Sequence, residues 1–122
     1  MVRQVLVDTD VLVDISKGRY EIPNNYDVFI SEVTLYEFMR GFRRPLLAKK
    51  ALDTFATVLF ADNKVLLRAA ELWRVLKESG RPVGEHDVLN AAFAIVHGLP
   101  VLTRNVRHYA VFEREGILLL EP

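Results

Sequence analysis

The stretch Gln4-Val5-Leu6-Val7-Asp8 is a short apolar run that stops at a carboxylate. An unbroken apolar run of this length is typical of a strand that is buried on both faces of a sheet. A short helix is predicted directly after it, over residues 10–16, and is expected to stop near Gly18. The chain therefore opens with a strand followed by a helix, which is the unit from which parallel sheets are built.

The same alternation continues along the rest of the sequence. Further apolar runs predict strands at residues 28–30, 58–60, 101–102 and 117–120. Helices are predicted between them over residues 31–42, 45–56, 63–79 and 86–97, with Ser31 and Asn63 as N-caps and Gly98 after the last helix. Strands that alternate with helices predict an α/β fold, in which a mainly parallel sheet carries helices on both faces.

The composition limits the class of protein. The 122 residues suffice for one domain, and we predict a single domain over residues 1–122. There is no cysteine, which excludes disulfides and thiolate metal sites, and no apolar segment approaches the roughly 18 residues of a membrane helix. These features predict a cytoplasmic protein without membrane association. Lysine plus arginine equals aspartate plus glutamate at 16 each, so net charge alone does not indicate a nucleic-acid ligand.

Polar side chains gather where the predicted strands end and the following helices begin, which is the edge at which parallel α/β proteins form their sites. The residues concerned are Asp8, Asp10, Ser31, Glu37, Asp87, Thr103, Arg104 and Asn105. Grouped carboxylates repel one another unless a cation neutralises them, and an oxygen-only cluster selects a hard ion such as Mg²⁺ or Mn²⁺. Because such ions hold phosphates and activate water, the pattern predicts phosphodiester hydrolysis.

Four segments in a fixed order carry a more specific signal. They are Val7 to Asp14, Ser31 to Phe38, His86 to Ala94, and Gly98 to Asn105. In this order and at these intervals they resemble the PIN-domain nucleases, in particular the VapC-type toxins of toxin–antitoxin pairs. The resemblance implies a three-layer α/β/α sandwich with a short, mainly parallel sheet. It also implies endoribonuclease activity that depends on Mg²⁺ or Mn²⁺.

The resemblance assigns a metal site residue by residue. Asp8, Glu37 and Asp87 match the acidic positions that hold the metal and carry the catalysis. Asn105 falls where the family has a fourth acidic residue or an Asn, and its carbonyl adds no charge. The sequence departs from the family at His108, where many relatives carry an Asp before an aromatic residue. With three carboxylates, one tightly bound Mg²⁺ is the preferred expectation.

Further roles follow from the same resemblance. Thr103 is expected to position water or phosphate, and Asp10 to act as an outer metal ligand or as the cap of the next helix. A homodimer is implied, together with a small antitoxin that covers the active-site groove and places a basic side chain among the carboxylates. The arginines expected to contact RNA phosphates are Arg40, Arg43, Arg44, Arg104 and Arg107.

Two other functions remain open at this point. A non-catalytic PIN-like binding module is favoured by Asn105 and His108, which are not acidic. The stretch Asp8-Thr9-Asp10 also resembles the first motif of haloacid-dehalogenase-type phosphatases. That class needs a downstream lysine and an acidic pair, and neither stands in suitable order here. The three histidines of the sequence have no mutual spacing that indicates a transition-metal site.

Overall fold

The computed structural model describes residues 2–80 and 84–122. The elements in chain order are β1 (Arg3–Val7), α1 (Thr9–Ser16), β2 (Tyr26–Ser31), α2 (Glu32–Arg40), α3 (Pro45–Asp53), β3 (Ala56–Leu59), α4 (Asn63–Ser79), α5 (Glu85–His97), β4 (Val101–Leu102), α6 (Val106–Tyr109) and β5 (Leu119–Leu120). A 3₁₀ helix over Ala110–Glu115 connects α6 to β5. Among the described helices, none has the length and apolar character needed to cross a membrane.

The five strands form one parallel sheet in the order β3-β2-β1-β4-β5. Strand β1 lies at the centre, with β2 on one side and β4 on the other. Strands β2 and β3 thus lie on one side of β1, and strands β4 and β5 lie on the other. A switch point of this kind leaves a crevice at the carboxyl ends of the strands. The predicted α/β fold with a parallel sheet is confirmed.

Neighbouring side chains of β1 enter two different cores because side chains alternate across a strand. Val5 and Val7 belong to a core that includes residues of α1, α2 and α3. Leu6 belongs to a second core on the opposite face, which is built largely from α4 and α5. Helix α5 is mostly buried, as its apolar pattern predicts. The two cores make the three-layer α/β/α sandwich that was expected.

One polar cap starts α2 and one glycine ends α5. The Ser31 hydroxyl accepts the Thr34 N–H at 3.1 Å and starts α2, as predicted. Gly98 ends α5 at φ 66°, in the left-handed region that glycine enters without a steric cost. Because of this sharp stop, the chain leaves α5 and enters β4 within three residues.

Some predicted boundaries are wrong by a few residues. Helix α3 ends at Asp53 rather than near residue 56, because the Thr54 hydroxyl donates to the Ala51 carbonyl at 2.7 Å and the chain then joins β2 as β3. The N-cap of α4 is Asp62 and not Asn63, since the Asp62 carboxylate accepts the Val65 N–H at 3.0 Å. Each correction rests on one side-chain hydrogen bond, which the apolar pattern does not encode.

Candidate active site

Asp8 lies directly after the central strand and is 4% exposed. Its Oδ1 accepts the Thr9 N–H at 2.8 Å and the Asn90 side-chain amide at 3.2 Å. Its Oδ2 accepts the hydroxyls of Thr103 at 2.9 Å and Tyr109 at 3.1 Å. These four donors come from α1, α5, the segment after β4, and α6. They are all uncharged, so they fix the direction of the carboxylate without neutralising it.

Asp87 is 2% exposed and lies in the first turn of α5. Its Oδ1 is 3.0 Å from His86 Nε2, and its Oδ2 is 3.2 Å from His108 Nδ1. Burial raises the pKa of Asp87, and the nearby charge of Asp8 adds to the rise, while the two histidines oppose it without cancelling it. The raised pKa reports two carboxylates in one poorly solvated pocket.

Glu37 closes a third side of the pocket from α2. The Thr9 hydroxyl donates to its Oε1 at 2.7 Å, and its Oε2 lies 3.8 Å from His86 Nδ1 and 4.0 Å from the Arg40 guanidinium. The other nitrogen of His86 contacts Asp87. The predicted acidic residues therefore surround one pocket, but Glu37 and Asp87 are joined through an imidazole rather than by direct contact.

A buried polar network supports Asp8 from behind. The Ser31 hydroxyl donates to the Asn90 carbonyl oxygen at 2.5 Å, which turns the Asn90 amide nitrogen toward the site. That nitrogen lies 3.3 Å from the Thr34 hydroxyl and 3.4 Å from the Tyr109 hydroxyl, in addition to its contact with Asp8. Ser31 thus caps α2 and also orients a donor to Asp8.

Asp10 links α1 to the segment after β4. Its carboxylate accepts the backbone N–H groups of Val11 at 2.7 Å and Arg104 at 3.0 Å. Burial raises the pKa of Asp10, the neighbouring charge of Asp8 adds to this, and the two backbone hydrogen bonds oppose it. Asp10 therefore lies close enough to Asp8 to share its electrostatic field, while its oxygens are bonded to backbone.

Two of the predicted residues after β4 enter the site in different ways. Thr103 is fully buried and donates its hydroxyl to Asp8. Asn105 is exposed, and its backbone N–H donates to the Thr103 hydroxyl at 2.9 Å. Because that hydroxyl accepts from Asn105, its own proton is directed at Asp8. Asn105 thus contributes to the pocket through its backbone.

The five predicted arginines differ in whether their side chains contact other side chains. Arg40 packs over the Tyr36 ring at 5.2 Å and faces Glu37, and Arg104 places Nε 2.5 Å from Asp14 Oδ2. The remaining three are exposed, two of them between α2 and α3 and one on α6: Arg43, Arg44 and Arg107.

Sequence reasoning missed four residues of this site. Asn90 follows Asp87 by three positions on α5 and so shares its face, which is a signal that could have been used. His86 and His108 meet at Asp87, although their spacing of 22 residues indicates nothing by itself. Tyr109 was not singled out, because its contact with Asp8 depends on how α6 packs.

Within residues 2–80 and 84–122, no group of three His, Cys, Asp or Glu side chains is placed to hold a metal ion. The contacts above give the reason. Protein donors point at both oxygens of Asp8, and imidazoles lie against both oxygens of Asp87. A cation between the carboxylates would therefore have to replace some of these contacts.

The three-layer parallel fold and the buried carboxylates at the end of its central strand define a class of α/β protein with an acidic pocket. Within that class, the chain belongs to the PIN domain family, whose sequence profile matches residues 4–113.

Relatives and solved structures agree with this assignment. Ribonuclease VapC19 of Mycobacterium tuberculosis is 30% identical over 118 residues, covering 88% of this chain and 93% of its own. Ribonuclease VapC1 of Methanocaldococcus jannaschii is 26% identical and covers 97% of this chain and 88% of its own. The VapBC-1 structure from nontypeable Haemophilus influenzae matches with a TM-score of 0.80 at 20% identity, over 97% of both chains. A toxin–antitoxin complex from Klebsiella pneumoniae matches with a TM-score of 0.70 at 25% identity, over 87% of this chain and 90% of that one.

Proposed function

We propose that this chain is a single PIN domain over residues 1–122 that acts as a divalent-metal-dependent endoribonuclease, the toxin of a type II toxin–antitoxin pair. The observation that carries the proposal is the pair of buried carboxylates, Asp8 and Asp87, surrounded chiefly by neutral donors and histidines at the edge of the sheet. The names of the VapC1 and VapC19 ribonucleases support the activity, because those proteins match this chain over nearly its whole length.

The donor set fits Mg²⁺ or Mn²⁺. Asp8, Glu37 and Asp87 offer hard oxygen ligands, which these ions prefer, and Asn105 offers a neutral carbonyl nearby. A divalent cation would also relieve the repulsion that helps to raise the pKa of Asp87. His86 is 44% exposed and can turn toward solvent, which would free the space between Glu37 and Asp87.

When bound, such an ion stabilises negative charge on a phosphate and makes water more acidic. The side chains of the protein position the reacting groups and accept a proton. Asp8, held by its four donors, presents one fixed carboxylate. Glu37 is the most exposed of the three acidic side chains, and we assign it the role of accepting the proton of the attacking water. The Thr103 hydroxyl keeps Asp8 in place and can contact phosphate, and Asp10 supports the same strand end from the outer side.

The substrate we propose is unpaired RNA. Side chains read the deep groove of an A-form helix poorly, and Asp8 and Asp87 are almost fully buried, so the phosphates of a paired helix would not reach them. The exposed arginines beside the pocket are proposed to bind phosphates: Arg40, Arg43, Arg44, Arg104 and Arg107. Arg104 would contact RNA only by exchanging its ion pair with Asp14.

We also propose two protein partners. One is a second copy of the chain, and the other is a cognate antitoxin, in line with the toxin–antitoxin complex that this chain resembles. The net negative pocket suits a basic side chain from such a partner, which would compete with the metal ion for Asp8, Glu37 and Asp87. A non-catalytic binding module is the second candidate, because the described histidines and carboxylates do not form a ready metal cage.

RNA cleavage by the purified protein tests the function. We expect cleavage with Mn²⁺ or Mg²⁺ and none with excess EDTA. Asp8→Asn and Asp87→Asn should each lose more than the roughly 10–100-fold that loss of an outer metal-site partner costs. Asp27→Asn is the matched control, because Asp27 is exposed on β2 at the opposite end of the sheet.

The outcomes separate the candidates. Absence of cleavage under every metal condition, with RNA binding that survives Asp8→Asn, would support the non-catalytic module. Brisk hydrolysis of small phosphomonoesters that leaves RNA intact would contradict the nuclease and revive the phosphatase interpretation.

A further inference from the structure

A cavity of about 470 Å³ lies at the amino end of the sheet, between the end of α1, the segment that leads into β2, and the end of α3. Its volume is in the range of small-molecule sites, roughly 300–1,000 Å³. Helix α1 begins beside Asp8 and has eight residues, so the cavity lies roughly 12 Å away from the acidic pocket along this helix. The cavity is therefore separate from the proposed active site.

Backbone hydrogen bonds fix the segment that forms one wall of the cavity. Gly18 turns the chain at φ 70°, in the left-handed region that favours glycine, and its N–H donates to the Ile15 carbonyl at 3.1 Å. At the other end of the segment, the Tyr26 N–H donates to the Pro23 carbonyl at 3.1 Å. Because both ends are held by the protein itself, little ordering of this wall is needed when a ligand binds.

Aromatic and polar side chains line the cavity together. The aromatic ones are Tyr20, Tyr26 and Phe55, and the polar ones include Glu21 and Asn24. Within the part of the chain that the structure describes, the side chains of Glu21 and Asn24 make no hydrogen bond or ion pair with protein groups. Their polar atoms are therefore available to a ligand. Ring faces beside a few polar groups suit a planar molecule that forms hydrogen bonds, such as a nucleobase.

Three exposed cations flank this cavity. Lys17 and Arg19 are the neighbours of Gly18, which lines it, and Arg3 pairs with Tyr26 in the register of β1 and β2. Among the described residues, none of these three cations has an acidic partner. Free cations bind nucleic-acid phosphates whatever the base sequence. An aromatic cavity with a positive rim is the combination by which proteins bind unpaired nucleotides.

The carboxylate of Glu21 discriminates among the bases. A carboxylate accepts hydrogen bonds and donates none. Guanine presents two adjacent donors on its Watson–Crick edge, N1–H and the 2-amino group. Adenine and cytosine place an acceptor beside their amino group, and uracil has its one donor between two acceptors, so each of them would turn a lone pair toward the carboxylate. The lining therefore favours guanine.

We propose that this cavity binds a guanine nucleotide. The base stacks against the aromatic rings and donates to Glu21, while Lys17, Arg19 and Arg3 contact the phosphate. The nucleotide is free or belongs to an unpaired RNA strand, and the chemistry of recognition is the same in both. This inference goes beyond the proposed nuclease activity and does not depend on it, because the acidic residues of the active site take no part.

Titration of the whole chain with GMP in EDTA tests the inference, since EDTA removes the metal ions that could hold a phosphate at the acidic pocket. Binding is followed through the backbone amide signals in nuclear magnetic resonance spectra. We expect the amides of residues 18–26 to shift and those of Asp8 and Asp87 to stay. GMP should bind at least about fivefold more tightly than AMP or UMP, the lower end of what a bidentate base contact gives. IMP lacks the 2-amino group and should bind more weakly than GMP.

Two variants assign the binding to the lining residues. Glu21→Gln should lower the affinity for GMP about fivefold or more, to that of AMP, because the acceptor pair is lost. Glu78→Gln is its matched control, since Glu78 is exposed on α4, on the other face of the sheet. Phe55→Leu should weaken every nucleotide about fivefold or more, because stacking contributes to each base alike. Its control is Phe60→Leu, since Phe60 is 66% exposed beyond the far end of β3.

A second arm, also in EDTA, identifies the source of the nucleotide by comparing an oligouridine with the same RNA carrying one guanosine. Tighter binding of the guanosine RNA that is lost in Glu21→Gln would support the site and assign it to an RNA strand. Equal binding of the two RNAs, together with specific GMP binding, would support it as a site for a free nucleotide.

Three results would overturn the inference: GMP that binds no more tightly than AMP, amide shifts confined to the surroundings of Asp8, or no shift at millimolar GMP. Protein that binds GMP at residues 18–26 but cleaves no RNA with any metal would refute the proposed nuclease and support the nucleotide site.

Discussion

The raised pKa of Asp87 links the stability of the folded protein to pH. Its pKa is raised by burial and by the charge of Asp8, so the folded state holds the proton of this carboxyl more tightly than the unfolded chain does. For such a group, the stabilising effect is complete below the unfolded pKa and disappears as pH rises through the folded pKa. Near neutral pH the ionised side chain therefore works against folding.

We expect Asp87→Asn to be more stable than wild type at pH 7.5 in EDTA, by roughly 0.5–2 kcal/mol, the usual gain from removing an unfavourable surface or site charge. The advantage should shrink as pH falls toward the unfolded pKa, because the wild-type carboxyl then takes up its proton. Urea unfolding at pH 7.5 and pH 5 measures both. Mn²⁺ should stabilise wild type and leave the variant unchanged.

Asp27→Asn provides the comparison, because Asp27 is exposed and lies away from the pocket. An Asp87→Asn protein that is less stable than wild type at pH 7.5 would show that the contacts of Asp87 with His86 and His108 outweigh its burial.

Residues at the ends of predicted strands were the easiest to predict as part of the site. Asp8 ends an apolar run, and the carboxyl ends of parallel strands meet at one edge, so its location followed from the sequence. The contacts of His108 and Tyr109 did not, since they depend on how a helix of four residues packs against α5. The sequence also did not predict how Glu37 and Asp87 are arranged, because His86 lies between their carboxylates.

Helix ends obey short-range chemistry that can be tested one residue at a time. At the start of α4, Asp62 and Asn63 are both good capping residues, and the sequence alone favoured Asn63. In the structure the Asp62 carboxylate accepts the Val65 N–H. We expect Asp62→Ala to lower the free energy of unfolding by about 0.5–2 kcal/mol.

The neighbouring substitution is the control for this cap. Asn63→Ala places alanine at the first helical position and should change stability by no more than a few tenths of a kcal/mol, or raise it slightly. Urea unfolding of both variants decides the matter. An equal or larger loss in Asn63→Ala would mean that the cap is Asn63 after all.

The existence and order of the elements could be predicted, whereas their exact extents could not. Apolar periodicity identifies the strands and helices because it reflects which face is buried. It does not reveal where α2 stops: the apolar pattern continues to Phe42, but the helix ends at Arg40, before Gly41. Phe42 is left 41% exposed, in contact with the Phe38 ring.

At the scale of the whole molecule, one surface is unusually apolar. On α4, Leu66, Ala70 and Trp73 are exposed at a spacing of one helix face, and Leu89 of α5 and Tyr36 of α2 line the cavities beside them. Leu66 is 53% exposed and Tyr36 is 59% exposed. Contiguous apolar surface of this kind marks a protein contact, and it is our candidate for the proposed homodimer interface.

We expect the protein to be a dimer at micromolar concentration and Leu66→Glu to be largely monomeric, because the new charge would be buried without a partner. Size-exclusion chromatography with light scattering measures the mass. Trp73 is the single tryptophan, so its fluorescence should shift to longer wavelength in the monomer.

Leu46→Glu is the matched control, since Leu46 is 65% exposed and lies on α3, which packs against the opposite face of the sheet from α4. A wild-type protein that elutes as a monomer at every concentration would contradict the proposed dimer, and equal dissociation by both variants would move the interface elsewhere.

The central position of β1 has a consequence for the order in which the chain is synthesised. Asp8 leaves the ribosome early, but two of its donors, Thr103 and Tyr109, are translated about a hundred residues later. Until the strand that precedes Thr103 has emerged and paired with β1, a nascent chain carries the carboxylate without the pocket. The set of donors around Asp8 is therefore complete only after residue 109 has been translated and α6 has packed.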